Sequence, residues 1–139
     1  MEIIANALQT VEANQNVYFT DTVTCGNCAM THRDDSGLVS LKGLTNQCRA
    51  RYKVSFGGNI AIPTGGTVGP ISLALAIEGE PVGATTMTVT PAAVEQFWNV
   101  FSAVFVDVPR GCCVTVSVKN ISTEAIEVIN ANLIVERVA

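Results

Sequence analysis

A chain of 139 residues makes one ordinary domain, long enough to bury a core and too short for two. Apolar residues reach 48% and charged residues only 14%, which excludes a disordered chain and leaves an apolar excess for a second subunit to cover. The formal charge of −4, with basic residues scattered, argues against nucleic acid, and no stretch is apolar for long enough to span a membrane.

In chain order the grammar is that of short strands broken by turn residues. Residues 1–13 lack a basic start followed by an unbroken apolar run, so no secretory signal is expected. Residues 1–15 read as a segment within or leading into the first strand, and 16–139 as the domain proper. Val17, Tyr18 and Phe19 mark a first clear strand over 16–22. Asp34, Asp35, Ser36 and Gly37 make a turn before a brief apolar stretch, 38–41. From Ala50 the alternation is clean: Ala50, Tyr52, Val54 and Phe56 point one way, and Arg51, Lys53 and Ser55 the other. Gly57–Gly58 predicts a bulge or bend there. The stretch 64–70 is a glycine-bearing loop.

Ile71, Leu73, Leu75 and Ile77 share a strand face, and the small Ser72, Ala74 and Ala76 opposite predict close packing. Glu78 to Pro81 reads as a hairpin turn. Residues 85–90 predict a strand with Met87 and Val89 inward; 91–97 fits either one helical turn or an edge crossing. The run 99–108 is apolar on both faces, with Phe101, Ala103 and Phe105 on one and Val100, Val104, Val106 and Val108 on the other. After the turn at Pro109–Gly111, Val114, Val116 and Val118 alternate along 113–119. A long apolar run, 126–138, closes the chain. Its apolar residues fall on both sides, which implies a second burial surface and hence a tight contact between copies.

Eight or more such segments without a long helix predict an all-β, two-sheet antiparallel sandwich or jelly roll, because only facing sheets give so many one-sided strands a shared core. Among the candidate chemistry, Cys25 and Cys28 form a C-x-x-C pair. With Cys48, His32, Cys112 and Cys113 it leaves open idle or buried thiols, disulfides, or a zinc site built on Cys25, Cys28 and Cys48. Of the adjacent Cys112 and Cys113, strand alternation predicts that one faces the core. Five cysteines leave at least one without a partner in the chain. His32, the single histidine, reads as a surface residue beside a turn, since no nucleophile elbow accompanies it. The glycines at 65, 66 and 69 lack the G-K-[ST] of a phosphate loop. No catalytic residue and no cofactor are therefore expected. Trp98, next to Phe97, reads as core or interface, with a carbohydrate platform as the sharper alternative.

The order of segments resembles the tumour-necrosis-factor-like jelly rolls, which include the globular heads of complement-type collagenous proteins and bacterial spore-surface glycoproteins. Residues 48–63, centred on Arg51–Tyr52–Lys53–Val54–Ser55–Phe56, resemble that family's Gly-x-Tyr-x-Val/Phe strand. Residues 71–82, ending in Glu78–Gly79–Glu80, resemble the following strand and hairpin. Val108–Pro109–Arg110–Gly111 before an alternating strand is similar to the late Gly-Asp strand, with Cys112 where the family has an acidic or polar residue. Residues 130–138 resemble the last strand without its usual Phe-x-Gly.

The resemblance implies a two-sheet jelly roll that forms a compact homotrimer, with the first and last strands in the contact sheet. Ile126, Val128, Leu133 and Val135 are then the expected trimer contacts. It also implies a bacterial or bacteriophage setting: a chain made in the cytoplasm without a signal peptide and carried on a virion or particle surface. The partners expected are other copies, other particle proteins, or a host-surface glycan or receptor met at Trp98.

Overall fold

Twelve strands and no α-helix account for the chain in a computed structural model that describes residues 1–139. The strands are β1 (Glu2–Ala5), β2 (Gln9–Val11), β3 (Asp21–Thr24), β4 (Met30–His32), β5 (Val39–Lys42) and β6 (Arg49–Ala61). They continue as β7 (Ile71–Ile77), β8 (Glu80–Pro81), β9 (Met87–Val89), β10 (Trp98–Pro109), β11 (Cys113–Asn120) and β12 (Ile126–Arg137). A 3-10 turn at Gly83–Thr85 is the one helical piece.

Each of the two sheets has six strands. The first runs β10-β6-β12-β1-β3, with β2 also on β12; the second runs β4-β5-β11-β7-β8, with β9 also on β7. All pairings are antiparallel. This is the two-sheet antiparallel jelly-roll sandwich that the alternation predicts. The 1–15 segment lies within the first sheet: β1 sits between β12 and β3, and β2 extends the cover on β12.

One core fills the space between the sheets. Ala50, Tyr52, Val54 and Phe56 of β6 are fully buried, as their alternation requires, against Leu41, Leu73, Leu75, Val116 and Val118 of the second sheet. Phe19 meets Phe56 edge to face at 6.5 Å. Tyr52 is buried with its hydroxyl donating to the Lys42 carbonyl at 2.7 Å, so its polar tip is satisfied inside the fold.

Five details correct or complete the sequence reading. β6 runs through Gly57–Gly58 without interruption. The irregularity lies in its partner, where the β12 register shifts between Ile129 and Asn132 and Asn130 adopts φ 54°. The glycines accommodate that partner: a Cβ on Gly57 would stand 3.0 Å from Asn132 Oδ1, and one on Gly58 3.4 Å from Ala131 Cα.

The shift also rephases β12. Ile126 and Val128 face inward before it, and Ala131, Leu133 and Val135 after it. The run that reads as apolar on both faces is one inward face with a one-residue step. Ile126, Val128, Leu133 and Val135 are accordingly fully buried in the core of their own chain, and the expectation that they contact another copy is corrected.

Residues 91–97 form bends and turns, not a helical turn. Cys112 and Cys113 are both exposed, because they stand at the turn and the first position of β11, where alternation has not yet begun. The Glu78–Gly79 turn has φ of 54° and 83°, the left-handed pair that suits a tight two-residue hairpin.

Candidate interaction surface

β10 is an edge strand with two apolar faces, and only one of them is covered. Val100, Val106 and Val108 enter the core, which forces Phe101, Ala103, Phe105 and Asp107 onto the outer face of the first sheet. Phe101 is 66% exposed and Phe105 62%. Residues four apart on a strand are separated by roughly 13 Å, so the two rings stand apart with Ala103 between them.

The pairing places small and apolar residues beside them. Phe101 lies opposite Gly57, and Gly57 opposite Asn132. Ala103 lies opposite Ser55, and Ser55 opposite the exposed Ile134 of β12. The result is a strip across three strands in which two phenyl rings project over a floor of glycine, alanine and serine. Beyond it, β10 carries a row of backbone groups with no strand beside them, as any sheet edge does.

Charged residues rim the strip and are largely paired among themselves. Arg51 donates to both carboxylate oxygens of Asp107, at 2.7 and 3.0 Å, and Arg49 lies 3.2 Å from the same carboxylate. The hydrogen bond from Arg51 holds the Asp107 carboxyl below its ordinary range, and the same bond raises the Arg51 guanidinium. Lys53 stands opposite both Phe105 and Glu136. On the β1 side Asn132 donates to Glu2 at 3.3 Å.

Farther along β12, Glu127 is buried with its Oε2 unpartnered, and burial, then the neighbouring Glu95, raise its carboxyl above the usual value. Glu95 moves the other way, because the Thr64 backbone and hydroxyl donate to it at 3.0 and 2.9 Å.

The other residues singled out in the sequence are dispersed. Trp98 and Phe97 are exposed at the start of β10, next to the strip and outside the core. His32 packs edge-on against Phe19 at 6.3 Å, and its Nε2 lies 2.8 Å from the Ser36 carbonyl, so it is half-buried instead of a free surface group.

Cys25, Cys28 and Cys48 do not assemble into a ligand set: no three His, Cys, Asp or Glu side chains are grouped to hold a metal ion. A groove of roughly 660 Å³ between β3 and β4 touches Met1, Cys25, His32 and Asp34 and is wide open to solvent. The Phe101–Phe105 pair did leave a signal in the sequence, the two-faced run 99–108, and it is this run, joined by Ile134 of β12, that presents a second apolar surface.

The two-sheet arrangement is similar to that of a solved structure. The globular domain of zebrafish complement 1qA superposes with a TM-score of 0.63 at 14% identity, covering 96% of this chain and 93% of that one. That likeness establishes a jelly roll of the complement globular-head, tumour-necrosis-factor-like kind as the fold. Looser likenesses, too distant to support any inference, are to the EclA C-terminal domain, a sugar-binding protein (TM-score 0.43, 14% identity, 95% of this chain and 80% of that one), and to CBM35 from Cellvibrio japonicus Abf62 (TM-score 0.40, 9% identity, 100% and 98%). No family model matches the sequence, and no curated protein matches it.

Proposed function

We propose that this chain is a non-catalytic structural module that assembles as a compact homotrimer through the outer face of its first sheet. Its setting in this reading is the surface of a virion or similar particle, as a decoration or fibre-head protein. The observation that carries the assembly is the strip of Phe101, Ala103, Phe105 and Ile134 on β10 and β12. Monomeric domains seldom leave a contiguous apolar patch of this kind on an edge strand. Burying a phenylalanine side chain stabilises by about 1.5–3 kcal/mol, so two per subunit supply a substantial part of a specific contact.

The number three and the particle setting come from the resemblance of the sequence to the bacterial and phage branch of the jelly-roll family. Light scattering after gel filtration tests the number. The expected mass is about 44 kDa, three copies of the 14.6 kDa chain; a 14.6 kDa species at micromolar concentration overturns the reading.

A second reading is a head that binds a glycan or receptor on a cell surface. It is favoured by Trp98 and Phe97, adjacent and exposed at the mouth of β10, where flat rings suit the apolar faces of sugars. Binding on a glycan array that disappears in Trp98→Ala supports it, and a wild-type protein that binds no glycan removes that form of it.

A further inference from the structure

All five cysteines carry free thiols, and all five are exposed. Free cysteine is among the residue types most often buried, so packing does not account for this pattern. Their placement is equally uneven.

Cys113 lies opposite Lys42, and the Gly43 amide donates to the Cys112 carbonyl at 2.8 Å. The Lys42 amide donates to Ala29, the residue after Cys28, at 2.8 Å, and the Arg110 amide donates to Cys48 at 3.0 Å. Cys25 directly follows β3, whose last residue lies opposite Glu2, and it shares a groove with Met1 and Met30. Loops 25–29 and 43–48 and the turn 110–112 therefore close one end of the sandwich. Both chain ends are there too: the Met1 amino group donates to Val135 at 2.7 Å, and the Arg51 amide to Ala139 at 3.1 Å. The opposite end, formed by loops 62–70 and 121–125, has no cysteine.

The backbone that presents these thiols is braced. Gly43 packs so closely on the Pro109 carbonyl that no side chain would fit, and Arg137 donates to the Leu44 carbonyl at 2.7 Å. No two of the five are bonded to each other within the chain, and distance disfavours two of the possible pairings. Adjacent Cys112 and Cys113 have Cα atoms about 3.8 Å apart, closer than a disulfide normally takes. Ala29, beside Cys28, is separated from Cys113 by the whole of β5, about two strand spacings or roughly 9–10 Å, where a disulfide spans no more than about 7 Å.

We propose that this end is a cross-linking surface, at which thiols of one copy form disulfides with thiols of a neighbouring copy. A disulfide requires an accessible thiol on the partner, and an identical copy approaching end to end brings the same five. The oxidant is a small-molecule disulfide such as oxidised glutathione. A thiolate of one copy attacks it, its S–S bond breaks, and one small thiol leaves as a mixed disulfide forms on the protein. A thiolate of the second copy then attacks the protein sulfur and expels the other small thiol. Two protein thiols are oxidised, one small disulfide is reduced to two thiols, and the two protons pass to the leaving sulfurs. The surface is distinct from the Phe101–Phe105 strip, so this proposal goes beyond the trimer and does not rest on it.

The test uses the whole chain, fully reduced, then exposed to oxidised glutathione at low micromolar concentration and resolved by non-reducing electrophoresis with disulfide mapping. The expected result is a dithiothreitol-reversible series of dimers and higher multiples, linked through Cys25, Cys28, Cys48, Cys112 or Cys113. The double variant Cys112→Ser with Cys113→Ser is expected to thin that series. A variant with all five cysteines changed to serine and Thr67→Cys added, at the opposite end, is expected to cross-link at least tenfold more slowly per thiol. Circular dichroism confirms that each variant is folded, and the wild-type result stands without them. A single monomer band after oxidation, or a Thr67→Cys protein that cross-links as fast as the wild type, overturns the proposal. Mass measured under reducing conditions reports on the trimer separately.

Discussion

Replacing Phe101 and Phe105 together by glutamate is expected to leave a folded chain that no longer assembles. Both side chains lie on the outer face of the first sheet, more than 60% exposed, so neither substitution removes core packing. Exposed positions of this kind usually change the stability of the single chain by within about 0.5 kcal/mol. In an assembly the same positions are covered, and a carboxylate forced into an apolar contact at 101, where only Gly57 stands opposite, loses its hydration with no cation across the strand pair to offset it, a cost of several kcal/mol. Each 1.4 kcal/mol is tenfold in affinity, so association is expected to weaken by at least about a hundredfold.

Sedimentation equilibrium with circular dichroism reads both halves of this expectation. The double variant should sediment as a 14.6 kDa chain with a wild-type spectrum. Its melting temperature should fall only by what the lost subunit contacts contributed through mass action. Leu38→Glu, an exposed apolar residue between β4 and β5 on the other sheet, is the control and should leave the mass unchanged. An undiminished mass in the Phe101/Phe105 variant would place the contact elsewhere.

Leu133→Ala is expected to act on the fold itself. Leu133 is fully buried and stands opposite Phe56 in the register of β12 on β6. Truncating a leucine in such a place costs about 2–5 kcal/mol, the lost transfer energy plus the cavity left behind. A domain of this size has on the order of 5–15 kcal/mol in total, so the loss is a large fraction. The adjacent Ile134, exposed on the outer face across Ser55 from Ala103, should behave in the opposite way. Ile134→Ala should barely alter the unfolding free energy of the single chain and should weaken association. Urea unfolding of the two variants, with slopes compared, separates these outcomes. If Leu133→Ala instead dissociated the assembly with an unchanged midpoint, the inward assignment of β12 would be wrong.

The contrast between those two neighbours also shows where the sequence is legible. Period-2 alternation over 50–56, 71–77 and 114–118 is unbroken, and every strand it predicts is present with the expected face inward. Such a reading assumes a constant phase along a strand. In β12 the inward positions are even numbers up to Val128 and odd numbers from Ala131, because one extra residue is inserted between. Without that knowledge the run looks apolar on both sides and points to a subunit contact that its residues cannot make. The only local sign is Asn130, a residue type that tolerates the left-handed backbone found there.

The glycines at 57 and 58 gave a sign of the irregularity on the wrong strand: they make room for it without containing it. The cysteines were opaque for a different reason. Their spacing says nothing about which loops meet at one end of a sandwich, and that is decided by pairings as distant as Lys42 with Cys113. The surface on β10 was visible in the sequence, since Phe101 and Phe105 share a phase opposite to four valines. What the sequence lacked was the fact that only the valine side is covered.

Assembly through the two-faced edge strand is tested most directly by hydroxyl-radical footprinting of the native protein in solution, read out by mass spectrometry at single residues. Phe101 and Phe105, open to solvent in the single chain, are expected to be strongly protected from oxidation, while Tyr18, exposed away from that strip, is modified freely. Oxidation of both phenylalanines at the rate of fully accessible rings would mean that nothing covers this face, and would contradict assembly through it.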